Sequence, residues 1–191
     1  FKLIAQFRER NQDTPIILMG YLNPVEIYGY IRFAEQAQQV GVDGTILVDL
    51  PPEESQEVMA IWQKYGLYNI YLCSPTTSMA RMALINQYAQ GYLYYVSVKG
   101  VTGSNAVNVQ EIREKYHQRK LATKLPIMVG FGIKTPTMAA AIAEFAEGVI
   151  VGAALITCLD EVKCKQGNIA EKAMSFIGEM RREIDQLLEK K

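Results

Sequence analysis

The sequence holds 191 residues, 49% apolar and 21% charged, with twenty Lys and Arg against twenty Asp and Glu. This is ordinary globular composition for one sizeable domain, and a net charge of zero gives no general attraction for nucleic acid or an anionic membrane. No apolar run reaches the length of a membrane span, no secretory leader is visible, and Cys73, Cys158 and Cys164 lack metal-like spacing, so they read as reduced thiols of a cytoplasmic protein.

The chain opens inside a helical pattern, with Phe1, Leu3, Ile4 and Phe7 at helical spacing and Arg8, Glu9 and Arg10 in the last turn. Without an initiator Met or an N-cap, it is expected to lack its beginning. Ile16 to Gly20 is an apolar run of strand length, Tyr21-Leu22-Asn23-Pro24 its exit turn, and residues 25–40 a helix that Gly41 ends. The pattern repeats. Thr45 to Val48 reads as a buried strand, Asp49-Leu50-Pro51-Pro52 as a turn, and residues 53–65 as a helix. Asn69 to Cys73 is the next strand, and Ser78 is placed to cap the helix that runs to Ala89.

A further strand spans Tyr92 to Val96, where aromatic and β-branched residues dominate, and a loop with glycines at 100 and 103 follows. A helix over residues 109–121 leads to a strand at residues 126–129. Pro136 then suits the start of a helix ending near Ala146. Gly148 to Val151 is the last strand. Ala153 to Leu159 reads as a short helix, and an amphipathic helix over residues 169–189 closes the chain.

Continuous apolar strands separated by helices mean a parallel sheet with covered faces, either doubly wound or a β/α barrel. Doubly wound nucleotide folds carry their glycine fingerprint after the first strand. Here the glycines follow the last three strands, which favours a barrel. A barrel has eight strands, typically in about 250 residues; this sequence offers six strand–helix units, so the expectation is one barrel domain over residues 1–191 without its first two units.

The glycine turns at Gly103, Gly132 and Gly152-Ala153 read as an anion site, since backbone N–H groups there approach a phosphate without a Cβ in the way. Taken singly, each reads equally as a tight strand-to-helix turn; the three together favour phosphate. Tyr21, Asp49, Tyr94 and Thr102 stand at or near strand ends and are candidates to face a pocket. Tyr94 reads more readily as a core tyrosine, and Asp49 is the better pocket candidate, with the cap of its own turn as its other reading. His117 stands among Arg113, Lys115, Arg119 and Lys120 on what reads as a solvated helix face. No Ser/His/Asp set, Walker loop or metal cluster is present in the sequence.

Several runs together resemble the tryptophan synthase α subunit family. They are Met19-Gly20-Tyr21-Leu22-Asn23-Pro24, Gly41-Val42-Asp43-Gly44, Val48-Asp49-Leu50-Pro51-Pro52-Glu53-Glu54 and Ser74-Pro75-Thr76-Thr77. Later come Tyr94-Tyr95-Val96-Ser97, Gly100-Val101-Thr102-Gly103, Gly130-Phe131-Gly132-Ile133-Lys134-Thr135-Pro136 and Gly148-Val149-Ile150-Val151-Gly152. They occur in the family's order and cover the chain.

The resemblance implies a (β/α)8 TIM barrel, a cytoplasmic carbon–carbon lyase of tryptophan biosynthesis that splits indole-3-glycerol phosphate into indole and glyceraldehyde 3-phosphate. It implies an α2β2 partnership with a β subunit that carries pyridoxal phosphate, and no cofactor or metal in this subunit. By motif, Gly103, Gly132, Gly152 and Ala153 hold the phosphate, although the family often has Ser where Ala153 stands. Tyr21, Tyr94 and Phe131 border the indole and glycerol, and Thr102 belongs to the loop that closes over substrate. Asp49, Leu50 and Pro51 lie near the β-subunit interface. The family's catalytic glutamate and its indole-binding aspartate match no residue here and are expected before Phe1, so this chain is expected to bind better than it cleaves. Other readings are a non-catalytic phosphate-binding partner of a β subunit, or another phosphate-binding barrel such as indole-glycerol-phosphate synthase or ribulose-phosphate epimerase.

Overall fold

A computed structural model describes residues 1–97, 109–130, 132–164 and 167–189. The chain divides into two compact units, Phe1–Leu72 with Ser78–Leu93, and Cys73–Thr77 with Tyr94–Lys191.

In the first unit, α1 (Lys2–Arg8) precedes β1 (Ile17–Gly20), which pairs in parallel with β2 (Gly44–Leu47). Every residue of β2 is buried, as expected of an apolar strand flanked on both sides. The helical pattern read over residues 25–40 is two helices, α2 (Leu22–Tyr28) and α3 (Tyr30–Val40). Gly29 divides them with φ 92° and ψ 122°, a conformation that interrupts the hydrogen-bond ladder. The expected exit turn over residues 21–24 is therefore helical from Leu22, and Pro24 falls in the first turn, where proline is tolerated. Arg8 secures the far end of α3: its Nε and Nη2 donate to Gly41 O at 2.9 and 2.7 Å, and Nη2 also meets Asp43 Oδ2 at 2.8 Å.

A single 3₁₀ turn (Pro52–Glu54) and α4 (Gln56–Lys64) carry the chain to β3 (Tyr68–Asn69) and β4 (Tyr71–Cys73). One strand was expected over residues 69–73. It breaks at Ile70, whose N–H donates to Thr45 O, while Asn69 O is taken by the N–H of Gln90. The core here is closed by Trp62, which is fully buried and stacked on Phe33 at 5.7 Å between ring centroids. Its indole N–H donates to Thr45 Oγ1 at 2.8 Å, so the one polar atom of the ring is satisfied inside the core. Ser78 caps α5 (Met79–Tyr88) as the sequence predicts, accepting the N–H of Arg81 at 3.1 Å.

In the second sheet the order is β4-β5-β6-β7, with β5 at Leu93–Val96, β6 at Ile127–Gly130 and β7 at Gly148–Ile150. Helix α6 (Val109–Lys120) precedes β6, and α7 (Pro136–Ala143) follows it with Thr135 as N-cap. Helix α8 (Ala153–Cys164) continues beyond the short helix expected at residues 153–159, and α9 (Ile169–Leu188) packs on α7 and α8. Glu147 fastens the start of β6, accepting the N–H of Ile127 at 3.1 Å, the Tyr116 hydroxyl and the Lys120 ammonium.

Candidate active site

In the first unit the candidate residues collect where β1 and β2 end. Gly20 is in register with Leu47, and Val48 N–H donates to Gly20 O at 3.0 Å. One residue later Asp49 Oδ1 accepts the N–H of Leu22 at 2.7 Å. Helix α2 has no side-chain cap from its own N-cap residue, Tyr21, so Asp49 of the neighbouring strand end supplies the acceptor. Asp49 thus does not cap its own turn. Tyr21 is 65% exposed. Leu50 is buried in the core and Pro51 half-buried, so Asp49 is the exposed member of that trio. A cleft of about 240 Å³ opens beside it, lined by Val48, Asp49, Pro51, Pro52, Tyr71 and Arg81. Arg81 ion-pairs with Glu53 at its rim.

In the second unit β6 and β7 run parallel with Gly130 opposite Ile150. Gly132 and Gly152 each lie two residues beyond that pair, so the two turns leave neighbouring strand ends, which are spaced about 4.8 Å apart. Gly132 has φ 80°, a conformation suited to glycine. Gly152 is exposed, and a Cβ built on it meets nothing within 4 Å. Its carbonyl accepts Ile156 N–H at 3.2 Å, which makes it the residue leading into α8. The N–H groups of the first turn of α8 have no carbonyl one turn back within the helix, and they carry the positive end of its dipole.

Tyr94 is 9% exposed, and its ring lies against the backbone of Gly130. A Cβ at Gly130 would stand 2.3 Å from the Tyr94 hydroxyl oxygen. Burial pushes that hydroxyl's pKa above its ordinary value. Ser97 grips the same glycine, with its N–H and Oγ donating to Gly130 O at 3.1 and 2.9 Å. Thr102, Gly103 and Phe131 lie outside the described residues.

Sequence reasoning missed Arg119. The helix face read as solvated is divided: His117 is exposed, but Arg119 is 8% exposed. Its Nη2 donates to Pro75 O at 2.7 Å and its Nε to Ser74 O at 3.4 Å, holding the loop after β4. The available signal was the spacing of Ile112, Tyr116 and Arg119, which places the arginine on the apolar stripe of α6. Among the described residues no group of three or more His, Cys, Asp or Glu is placed to hold a metal ion. No described helix is long and apolar enough to cross a membrane.

Comparison with known proteins bears on nearly the whole chain. The profile of the family described as tryptophan synthase alpha chain matches residues 1–185. A tryptophan synthase alpha chain of Legionella pneumophila (strain Lens) is 59% identical over 185 residues, covering 97% of this chain and 68% of that protein. The crystal structure of tryptophan synthase subunit alpha from Legionella pneumophila str. Paris matches with a TM-score of 0.90 at 55% identity, covering 97% of this chain and 68% of that one. A structure of the tryptophan synthase a2b2 complex from the hyperthermophile Pyrococcus furiosus matches with a TM-score of 0.78 at 28% identity, covering 98% of this chain and 71% of that chain. The fold class is therefore the β/α barrel of these relatives, of which the chain spans about two thirds. The chain belongs to the tryptophan synthase alpha chain family, the lyases of tryptophan biosynthesis that cleave indole-3-glycerol phosphate.

Proposed function

We propose that the turns after β6 and β7 grip the phosphate of indole-3-glycerol phosphate through the backbone N–H groups of Gly132, Gly152 and Ala153. The observation that carries this reading is the register of Gly130 with Ile150, which sets two glycine turns side by side, one of them opening a twelve-residue helix. Aligned N–H groups and the helix dipole favour a dianion there without any cationic side chain. By family resemblance Gly103 joins this group, and Thr102 belongs to the loop that closes over substrate. Tyr21, Tyr94 and Phe131 border the indole and glycerol on the same ground.

Cleavage needs one proton delivered to the indole ring and another removed from the glycerol hydroxyl. Positioned acid–base groups contribute about 10²–10⁴-fold to such steps. Among the described residues, Asp49 is the carboxylate found within two positions of a strand's C-terminal end, and it is engaged by Leu22 N–H. Residues 1–191 on their own are accordingly assigned substrate binding, with little cleavage in an indole-release assay.

In this reading the chain works in the cytoplasm, as Cys73 and Cys158 are free thiols. It hands indole to a β subunit that carries pyridoxal phosphate, in an assembly like the Pyrococcus complex. Asp49 and Pro51 are the surface members of the proposed interface segment.

Gly152→Asp tests the phosphate grip. The new side chain has open space and is a favoured helix N-cap, so folding is retained. Its carboxylate would occupy the N–H groups offered to phosphate. Calorimetry should show glycerol 3-phosphate binding to the parent chain and a loss of at least about tenfold in the variant. Equal affinity for both would refute the grip.

A further inference from the structure

The hydrogen bond between Asp49 and Leu22 joins a rigid element to a weak one. Asp49 sits on a fixed arm: Leu50 is buried, its N–H bonds back to Leu47 O at 3.2 Å, and Pro51 and Pro52 follow. Prolines lock φ, so this turn has few other conformations. Helix α2 is the opposite. It has seven residues, buries Val25 alone, lacks a cap from its own side chains and stops at Gly29. A helix this short has little stability of its own, and its position depends on ties to its surroundings.

Tyr21 is the residue immediately before α2, and with 65% of its surface exposed it is not held by packing. The backbone of Tyr21 therefore sets the point from which its ring extends and the rotamers open to it, and the peptide that follows Tyr21 is the one whose N–H reaches Asp49. We propose that Asp49 is a positioning residue for substrate recognition: its carboxylate fixes the Tyr21–Leu22 peptide and so aims the Tyr21 ring at the indole. This rests on the reading of Tyr21 as part of the indole surround. It gives Asp49 an intrachain task whether or not a partner subunit touches it. The bond requires an acceptor oxygen at that point and no negative charge, so Asn at position 49 preserves it and Ala abolishes it.

The test is calorimetric titration of the 191-residue chain, with Asp49→Ala, Asp49→Asn and Tyr21→Ala beside the parent. Two probes are used, 3-indolylpropyl phosphate and inorganic phosphate. Asp49→Ala and Tyr21→Ala should each weaken the indolyl probe about tenfold, with the double variant no weaker than either. Asp49→Asn should stay within about threefold of the parent, and inorganic phosphate should bind alike throughout. Loss of both probes together in Asp49→Ala would mean general destabilisation and would overturn the inference. So would an Asn variant as weak as the Ala variant, or an Ala variant that binds the indolyl probe like the parent. If the parent bound neither probe, the functional reading itself would fall, and the positioning role with it.

Discussion

Gly130 and Tyr94 should behave as one steric unit. A Cβ added at Gly130 would lie 2.3, 2.5 and 2.7 Å from the Oη, Cζ and Cε1 atoms of Tyr94, all closer than real Cβ contacts. The ring has little room to withdraw, because Tyr94 is 9% exposed on β5. Nor can the glycine easily shift, since its carbonyl accepts both the N–H and the hydroxyl of Ser97. Gly130→Ala should therefore cost about 1–3 kcal/mol, the usual range for overpacking. Tyr94→Ala should cost about 3 kcal/mol through the cavity it leaves. In the double variant the new methyl group occupies part of that cavity, so the total should fall short of the sum by about 1–3 kcal/mol. Equilibrium urea unfolding followed by far-ultraviolet circular dichroism measures all four proteins. If the two single effects add to within about 0.5 kcal/mol, the ring does not lie where Gly130 needs space, and the reasoning fails.

Two further tests probe buried polar contacts. Thr45→Val removes the acceptor of the Trp62 indole N–H inside the first unit's core and should cost about 1–3 kcal/mol, read from urea unfolding by the emission of the chain's one tryptophan; an unchanged midpoint would contradict it. For Glu147, burial opposes ionisation, but the Lys120 ammonium, the Tyr116 hydroxyl and the Ile127 N–H outweigh it and hold the carboxyl below its ordinary 4.5. A depressed folded value means that this stabilisation is fully present above about pH 4.5 and is lost as pH falls through the lower folded value. The stability advantage of the parent over Glu147→Gln should accordingly shrink below that pH in urea titrations, and an advantage independent of pH would count against the contact.

The strand pattern was legible because buried parallel strands are apolar on both faces, and runs such as Thr45 to Val48 stand out against any background. Local caps were legible too, as Ser78 and Gly41 show. What escaped was non-local. The helical pattern continues on both sides of Gly29, so nothing in the apolar spacing marks the break. The interruption at Ile70 depends on Gln90, which claims the carbonyl of Asn69 from the end of the following helix. Arg119 read as one more surface cation because its two acceptors are backbone carbonyls of a loop far upstream. At the candidate site the glycines were visible as residues, but the adjacency of Gly132 and Gly152 follows from the register of β6 with β7, which only pairing fixes. Asp49 read as a pocket candidate, a turn residue or an interface residue, and its bond to Leu22 joins two strand ends that the sequence separates by 27 residues.

Amide chemical shifts give the most direct test of the phosphate grip. In a ¹⁵N-labelled chain titrated with glycerol 3-phosphate, the N–H signals of Gly132, Gly152 and Ala153 should move together along one saturable curve with a single dissociation constant, because hydrogen bonding to a dianion deshields the donors it engages. Titration with glycerol alone should leave them in place. Saturable shifts confined to other amides, with these three unmoved, would contradict the assignment of phosphate binding to the turns after β6 and β7.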